Sequence, residues 1–311
     1  MREVLSHQAV LVQETIAALK LRPDGVYVDG TFGRGGHARA ILEALGPKGR
    51  LLALDRDPAA EQYARECFGA DARFSFERTA LSRLAESIDR HGLRGRIQGI
   101  VLDLGVSSPQ LDDSKRGFSF LREGPLDMRM DPTTGRSAAE WLATADAGEI
   151  AQVLRDFGEE RYHRRIANAI VKTRRTAPLS TTSQLARLIA AAVPTHESGK
   201  HPATRSFQAI RIFINQELTE LQAVLPQALK VLAPDGRLVV ISFHSLEDRL
   251  VKRFMQTQAR GTEWPLDLPV ITAAESATLR VIGRALRPTQ AETRGNPRAR
   301  SAILRVAERL A

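Results

Sequence analysis

Short runs of apolar, β-branched residues alternate with segments whose apolar positions recur every three or four residues through the first third of the chain. Val26 and Val28 fall in the first such run and residues 51–54 in the second. Residues 73–76 alternate as a third, and 99–104 (G-I-V-L-D-L) form the fourth. Runs this short and this apolar suit parallel strands covered on both faces. Between them, Ala38, Ile41, Leu42 and Leu45 have helical spacing until Gly46-Pro47 stops it. A helix is expected from Pro58 to about Cys67, with Asp57 as its N-cap and Pro58 in its first turn. Leu81, Leu84, Ala85 and Ile88 mark another, and Val12, Ile16 and Leu19 a lead-in helix over 9–21. Strand–helix repeats feeding a fourth strand imply an α/β, Rossmann-like parallel sheet with helices on both faces.

The alternation then stops. Residues 109–130 are rich in Gly, Ser, Asp and Arg, have no clear period, and read as a long ordered loop of the functional kind. Residues 138–193 are helical throughout, an all-helical insertion after the fourth strand, and 195–202 form a polar connector. A single long amphipathic helix is expected over 207–232, with Pro226 as a kink point. Pro234-Asp235-Gly236 reads as a turn, 237–243 as a fifth strand, 246–255 as a helix and 301–306 as a closing strand, while 265–279 is ambiguous. The expected division is therefore a core of 1–110 and 203–311, with 111–202 as loop plus helical insertion.

Composition narrows the class. The chain has 311 residues, 43% of them apolar, which suits a globular protein and excludes a disordered one. Its net charge of +9 and pI near 10.2 favour a polyanionic partner such as nucleic acid. Cys67 is the single cysteine, so no internal disulfide forms, and the scattered histidines show no metal-binding spacing; no metal is expected. No apolar segment reaches bilayer length and the N-terminus does not read as a signal peptide, so a soluble, cytoplasmic setting without membrane partners is expected. The oligomeric state is left open.

Candidate chemistry sits where the apolar runs end. Asp29, Asp55 and Asp103 close the first, second and fourth strands, and in an open α/β sheet a ligand lies off these ends. Gly30, Gly33, Gly35 and Gly36 follow Asp29 and lead into a helix N-terminus, a place for an anion. Asp55 suits ribose hydroxyls. Gly33-x-Gly35-x-x-Ala38 also fits a dinucleotide fingerprint, so NAD, FAD and S-adenosylmethionine stay open on this stretch alone. Arg161, Arg164, Arg165, Lys172, Arg174 and Arg175 load the insertion with charge, and 294–300 is a second basic loop. They are candidate phosphate contacts, Arg164 and Arg165 foremost; the alternative is a solvated face paired with Glu159 and Glu160.

Asp103 is followed by Ser107-Ser108-Pro109-Gln110, and D-x-x-x-S-S-P-Q resembles the [DNS]-P-P-[YFW] signature of amino-group methyltransferases, with Gln110 in place of the aromatic. The resemblance tightens over longer motifs: H-x-x-V-L-V-x-E from His7, D-G-T-F-G-R-G-G-H from Asp29, L-D-R-D-P from Leu54, L-D-L-G-V-S-S-P-Q-L-D-D from Leu102, R-G-F-S-F from Arg116, G-P-L-D-M-R-M from Gly124 and F-H-S-L-E-D-R from Phe243. Together these are similar to the bacterial small-subunit ribosomal RNA methyltransferase H family, also called MraW. The resemblance implies a class I S-adenosylmethionine methyltransferase that methylates N4 of a cytidine in the 16S rRNA decoding centre, with 16S rRNA or the small ribosomal subunit as partner. It implies cofactor contacts at Gly35, Gly36, His37, Asp55, Asp103 and Gln110, and at Leu81, where the family usually has Phe. In this reading 111–202 is the RNA-substrate domain.

Asp103, Ser107, Ser108 and Pro109 are the candidate catalytic residues, as acceptors for the substrate amino group. Base stacking has candidates in Phe118, Phe120 and Phe243, each equally readable as packing. His244 is a candidate base or substrate contact, against a capping role of Ser245 toward Asp248. Other readings are an NAD-dependent oxidoreductase, a non-catalytic RNA-binding assembly protein, and a DNA cytosine-N4 methyltransferase sharing the same chemistry.

Overall fold

The computed structural model describes residues 9–195, 199, 201–261 and 276–311. His7, part of the 195–202 connector and most of the ambiguous 265–279 segment lie outside the described residues. Two compact units are present. One holds the chain up to Gly105 and from Leu218 onward; the other is Val106–Glu217.

The first unit is built on strands β1 (Val26–Asp29), β2 (Arg50–Asp55), β3 (Phe74–Arg78), β4 (Ile97–Asp103), β5 (Leu232–Ser242), β6 (Leu279–Val281) and β7 (Ile303–Arg309). They form one sheet of order β3-β2-β1-β4-β5-β7-β6. The first five pair in parallel, and β7 runs antiparallel between β5 and β6. Helix α1 (Val12–Leu19) precedes β1, and α2 (Gly36–Ala44), α3 (Pro58–Phe68) and α4 (Leu84–Arg90) fill the connections between the first four strands.

Both faces of the central strands β1, β2, β4 and the second half of β5 are buried, which is why they read as largely apolar runs. Val28, Leu52, Leu54, Ile100, Leu102, Leu238 and Val240 supply one core, and Tyr27, Leu51, Ala53, Val101, Val239 and Ile241 the other. Each fully buried aliphatic contributes about 1.5–3 kcal/mol. As expected, Asp57 caps α3, accepting from the Ala59 N–H at 2.9 Å, and Pro58 occupies the first turn. Register positions the acids: Asp29 pairs with both Ala53 and Val101, so Asp55 and Asp103 stand two residues further along their strands.

One expected turn is instead a bulge. Ile97 pairs with Leu232 and Gly99 with Arg237, so the residues between, including Asp235 at φ +61°, bulge out of a strand that has already begun. Arg237 then meets Glu308 of β7 at 2.9 Å, both buried, and Arg280 of β6 pairs with the same carboxylate.

The second unit is helical. It contains α5 (Ser108–Asp112), α6 (Ala138–Thr144), α7 (Ala147–Gly158), α8 (His163–Thr173), α9 (Thr182–Ala192) and α10 (Thr204–Asn215). Trp141, Met128, Ile150, Leu154, Ile166, Ile170, Leu185, Ile189 and Ile210 share its core. The segment expected to be a loop opens with α5 and is then ordered by polar contacts. Asn215 Nδ2 donates to the Met128 carbonyl at 2.7 Å, Asn215 Oδ1 accepts from Met130 N–H at 2.7 Å, and Arg116 donates to the Arg129 and Met130 carbonyls.

The single helix expected over 207–232 is two. Gln216 adopts φ +53° and closes α10 with its N–H on the Phe213 carbonyl; α11 (Glu217–Val231) follows, with Pro226 inside it. The units divide at this break and after Gly105, rather than at 202/203 and 110/111. The reason is packing: Phe207, Ala209 and Ile210 of α10 join the helical core, whereas Leu221, Val224 and Leu225 of α11 join the sheet. The last helices are α12 (Ser245–Arg260) and α13 (Gln290–Gly295). No helix among the described residues is long and apolar enough to cross a membrane.

Candidate cofactor site

The turn after β1 cannot be built from ordinary residues. Gly35 sits at φ +68°, and a Cβ there would lie 2.5 Å from the Phe68 ring and 2.8 Å from Phe32. A Cβ on Gly36 would meet that of Ala9 at 2.5 Å. Gly35 is the N-cap of α2 and has no side chain to cap with, so the first N–H groups of the helix keep their affinity for an anion. Behind the turn Phe32 packs edge-on against Phe68 and Phe76, with ring centroids 5.3 and 5.4 Å away. Leu81 reaches the same turn: a Cβ on Gly30 would be 3.2 Å from its methyl group.

Acids converge at the tips of the central strands. Asp55 accepts from Gly33 N–H at 2.8 Å with Oδ2 and from Asp57 N–H at 2.9 Å with Oδ1, leaving a further lone pair on each oxygen. Burial raises its pKa to about 6, against these backbone bonds. Asp29, 1% exposed, accepts from Thr31 N–H at 3.1 Å through Oδ1, while its buried Oδ2 has no partner of good geometry among the described residues, the Ala38 N–H giving the carboxylate only a minor further support. Burial, reinforced by the charge of Asp55, pushes its pKa up to about 7. Asp103 is pushed well above the carboxylate range, first by burial and then by Asp29 and Glu247. Its side chain as a whole is 23% exposed, so the desolvated part is Oδ1, which is buried and has no partner among the described residues.

His37 adds a third acceptor. Its Nε2 lies 3.0 Å from the Val10 carbonyl, which can only accept, so Nε2 carries the proton. The bare Nδ1 is left 3.8 Å from Asp103 Oδ2. Burial lowers the pKa to about 4, so the ring stays neutral. Once ionised, Asp29 and Asp103 together with His37 present acceptors without donors, an arrangement that suits a cation rich in N–H groups. Asp29 and Phe32 were not singled out as site residues in the sequence. The strand-end position of Asp29 carried the signal; nothing short of the fold places Phe32 under the turn.

The other candidates fall in several places. In the second unit Ser107 precedes α5, Ser108 and Pro109 begin it, and buried Gln110 accepts from Ser107 N–H at 2.9 Å through Oε1. Phe118 is buried in the helical core. Phe120 packs on Phe207 at 4.9 Å and His201 at 4.6 Å. In the first unit Phe243 is half-buried against the sheet, and its N–H donates to Glu247 Oε2 at 2.8 Å. His244, rather than Ser245, is the N-cap of α12: its Nδ1 accepts from Glu247 N–H at 3.4 Å. Asp248, expected to partner Ser245, binds Arg305 at 2.7 Å, because β7 lies close beside α12. Arg164 and Arg165 are exposed on α8.

The sheet order, with its antiparallel β7 between β5 and β6, and the acids at the strand tips define a Rossmann-like methyltransferase. Residues 4–310 match the MraW methylase family, and the chain belongs to that family. Two relatives named ribosomal RNA small subunit methyltransferase H are similar over nearly their whole length. The one from Thioalkalivibrio sulfidiphilus is 61% identical, covering 98% of each chain. The one from Nitrosococcus oceani is 58% identical, covering 99% of this chain and 98% of its own. Among solved structures, an rRNA methylase from Streptococcus thermophilus superposes with a TM-score of 0.43 at 10% identity, covering 98% of both chains.

Proposed function

We propose that this protein methylates N4 of a cytidine in the decoding centre of 16S rRNA, with S-adenosylmethionine as methyl donor. Family membership and the names of the two curated relatives support rRNA methylation. The observation that carries the cofactor reading is the set of unpartnered acceptors at Asp29 and Asp103 beside the neutral His37. An ammonium group with its N–H donors fits that set, the helix N-terminus at Gly35 and Gly36 fits a carboxylate, and Asp55 fits a ribose diol. Leu81 offers apolar contact where an aromatic would stack. Gln110 is assigned here as a further cofactor contact.

The sulfonium supplies an already activated methyl group. The chain's task is therefore to prepare the acceptor. The N4 lone pair of cytosine is delocalised into the ring, and attack requires that the nitrogen pyramidalise. Acceptors placed on its N–H groups favour that change. Asp103 and the backbone carbonyls at Ser107, Ser108 and Pro109 are assigned this role. Pro109 has no N–H and holds a fixed φ, which stiffens the carbonyl before it. Phe120, Phe243 and His244 remain the substrate-contact assignments in this reading, while Phe118 has its ring committed to packing. An exocyclic amine in a paired base is out of reach, so the target base is unpaired or turned out of its stack.

Nucleoside mass spectrometry of 16S rRNA from cells with and without the gene tests the assignment. Loss of N4-methylcytidine at one position is the expected result. Loss of a different modified nucleoside, or methylation of DNA only, refutes it. Asp103→Ala is expected to abolish transfer while RNA still binds; unchanged turnover would remove Asp103 from the mechanism.

A further inference from the structure

The second unit carries a basic, apolar-floored cleft of its own. On α8, Arg164, Arg165, Asn168 and Lys172 are all exposed. At about 100° per residue they fall on one face within roughly a quarter-turn to a third of the helix. The opposite face, Ile166, Ala167 and Ile170, is buried. Arg175, just past the helix end, is exposed as well. None of these cations has a carboxylate partner among the described residues. Glu160, one proposed neutraliser, is buried and accepts from Tyr162 N–H at 2.9 Å instead. This is a face left charged, not a salt-bridged one.

Beside this face a cavity of about 610 Å³ opens between α8 and α9. Arg165 and Arg187 both line it, and Ala169, Leu179 and Leu188 give it an apolar lining. Gln184 also lines it, with its Oε1 already committed to Ser180 and Thr181 N–H groups. A volume of this size lies within the roughly 300–1,000 Å³ of pockets that hold small organic groups. Guanidinium groups beside apolar surface are how proteins hold unpaired nucleotides: the cations take phosphate and the floor takes the face of a base.

We propose that the α8–α9 cleft is a docking site for an unpaired stretch of the RNA substrate, distinct from the methyl-transfer site. One base seats on Ala169 and Leu188, its phosphate lies between Arg165 and Arg187, and neighbouring phosphates follow Arg164, Lys172 and Arg175. The inference rests on the rRNA reading for the identity of the ligand, but its test reads RNA binding without methyl transfer.

The test is fluorescence anisotropy of a labelled single-stranded RNA oligonucleotide across a salt series, using the full chain. Arg165→Ala with Arg187→Ala is compared with wild type and with a charge-matched control, Lys20→Ala with Lys48→Ala, both exposed in the first unit. Each phosphate neutralised on a single strand contributes about 0.7 to the slope of log K against log salt, so the cleft variant, which frees the one phosphate held between the two guanidiniums, is expected to lose about 0.7. Ala169→Phe, which fills the floor without touching charge, is expected to raise Kd for the single strand while leaving the slope in place. Unchanged slope in the cleft variant, an equal loss in the control, or duplex RNA competing as well as single strands would each overturn the proposal. Wild-type protein that binds single strands through this cleft yet methylates no rRNA would instead overturn the functional reading and leave the cleft standing. Binding of S-adenosylmethionine by each variant serves as the check on folding.

Discussion

Asp29 is a carboxyl group that the cofactor-free protein holds at a cost, and Asp29→Asn exposes that cost. Folding moves its pKa from 3.8 to about 7, chiefly through burial. Between those values the folded protein keeps a proton that the unfolded chain has released. Stability is therefore lost as pH rises through this window, and the full penalty is present above about 7. At 1.36 kcal/mol per pH unit the gap amounts to about 4 kcal/mol. Asparagine has no charge to desolvate, so the variant escapes this penalty; the weaker bond to Thr31 N–H takes back about 1 kcal/mol. A net gain of about 3 kcal/mol is expected at pH 8, and none at pH 4. Hydrogen exchange of the β1 amides in the cofactor-free protein reads the stability of this unit directly. The same variant is expected to bind S-adenosylmethionine more weakly by calorimetry, since an acceptor for its cationic groups is gone. A stability difference from wild type that is the same at both pH values would show that Asp29 does not carry the proton, and the reasoning would fail with it.

Three other outcomes follow from the same geometry. In wild-type protein, S-adenosylmethionine affinity is expected to rise with pH as Asp29 loses its proton near 7, with Asp103, whose carboxyl is also pushed up, extending the rise, because a cation requires the ionised acids; a flat calorimetric profile refutes this. Gly35→Ala is expected to cost about 1–2 kcal/mol for the left-handed backbone and about 1–3 more for its contact with Phe68, seen as a lowered melting temperature and lost cofactor binding. Glu308→Ala leaves Arg237 buried and unpaired, at a cost of about 3 kcal/mol; urea unfolding that matches wild type would contradict the importance of the pair.

The parallel half of the sheet was legible because burial on both faces leaves mostly apolar residues in β1, β2 and β4, and an acid marks each tip. The α3 cap at Asp57 is a local signal and reads the same in sequence and structure. What could not be read depends on partners distant along the chain. The break at Gln216 is invisible because the apolar spacing continues through it while the core being served changes. The bulge before Arg237 exists because β4 pairs with Leu232 as well. His244 rather than Ser245 caps α12 because β5 already ends at Ser242, one residue short of the expected end, and the helix starts at Ser245. Among the site residues, the strand-tip acids and the glycines were visible from the chain's punctuation. The lone pair of His37 was not, since it follows from a hydrogen bond to Val10 across 27 residues.

The antiparallel strand has a consequence for synthesis. β6 leaves the ribosome before β7, yet it pairs with β7, which also covers the flank of β5. Until residues 303–309 emerge, β5 carries a bare edge of backbone donors and acceptors beside Val239 and Ile241, the kind of edge other nascent chains add to. Sealing of the sheet thus waits for the final strand, and a stalled or truncated product would be exposed at that seam.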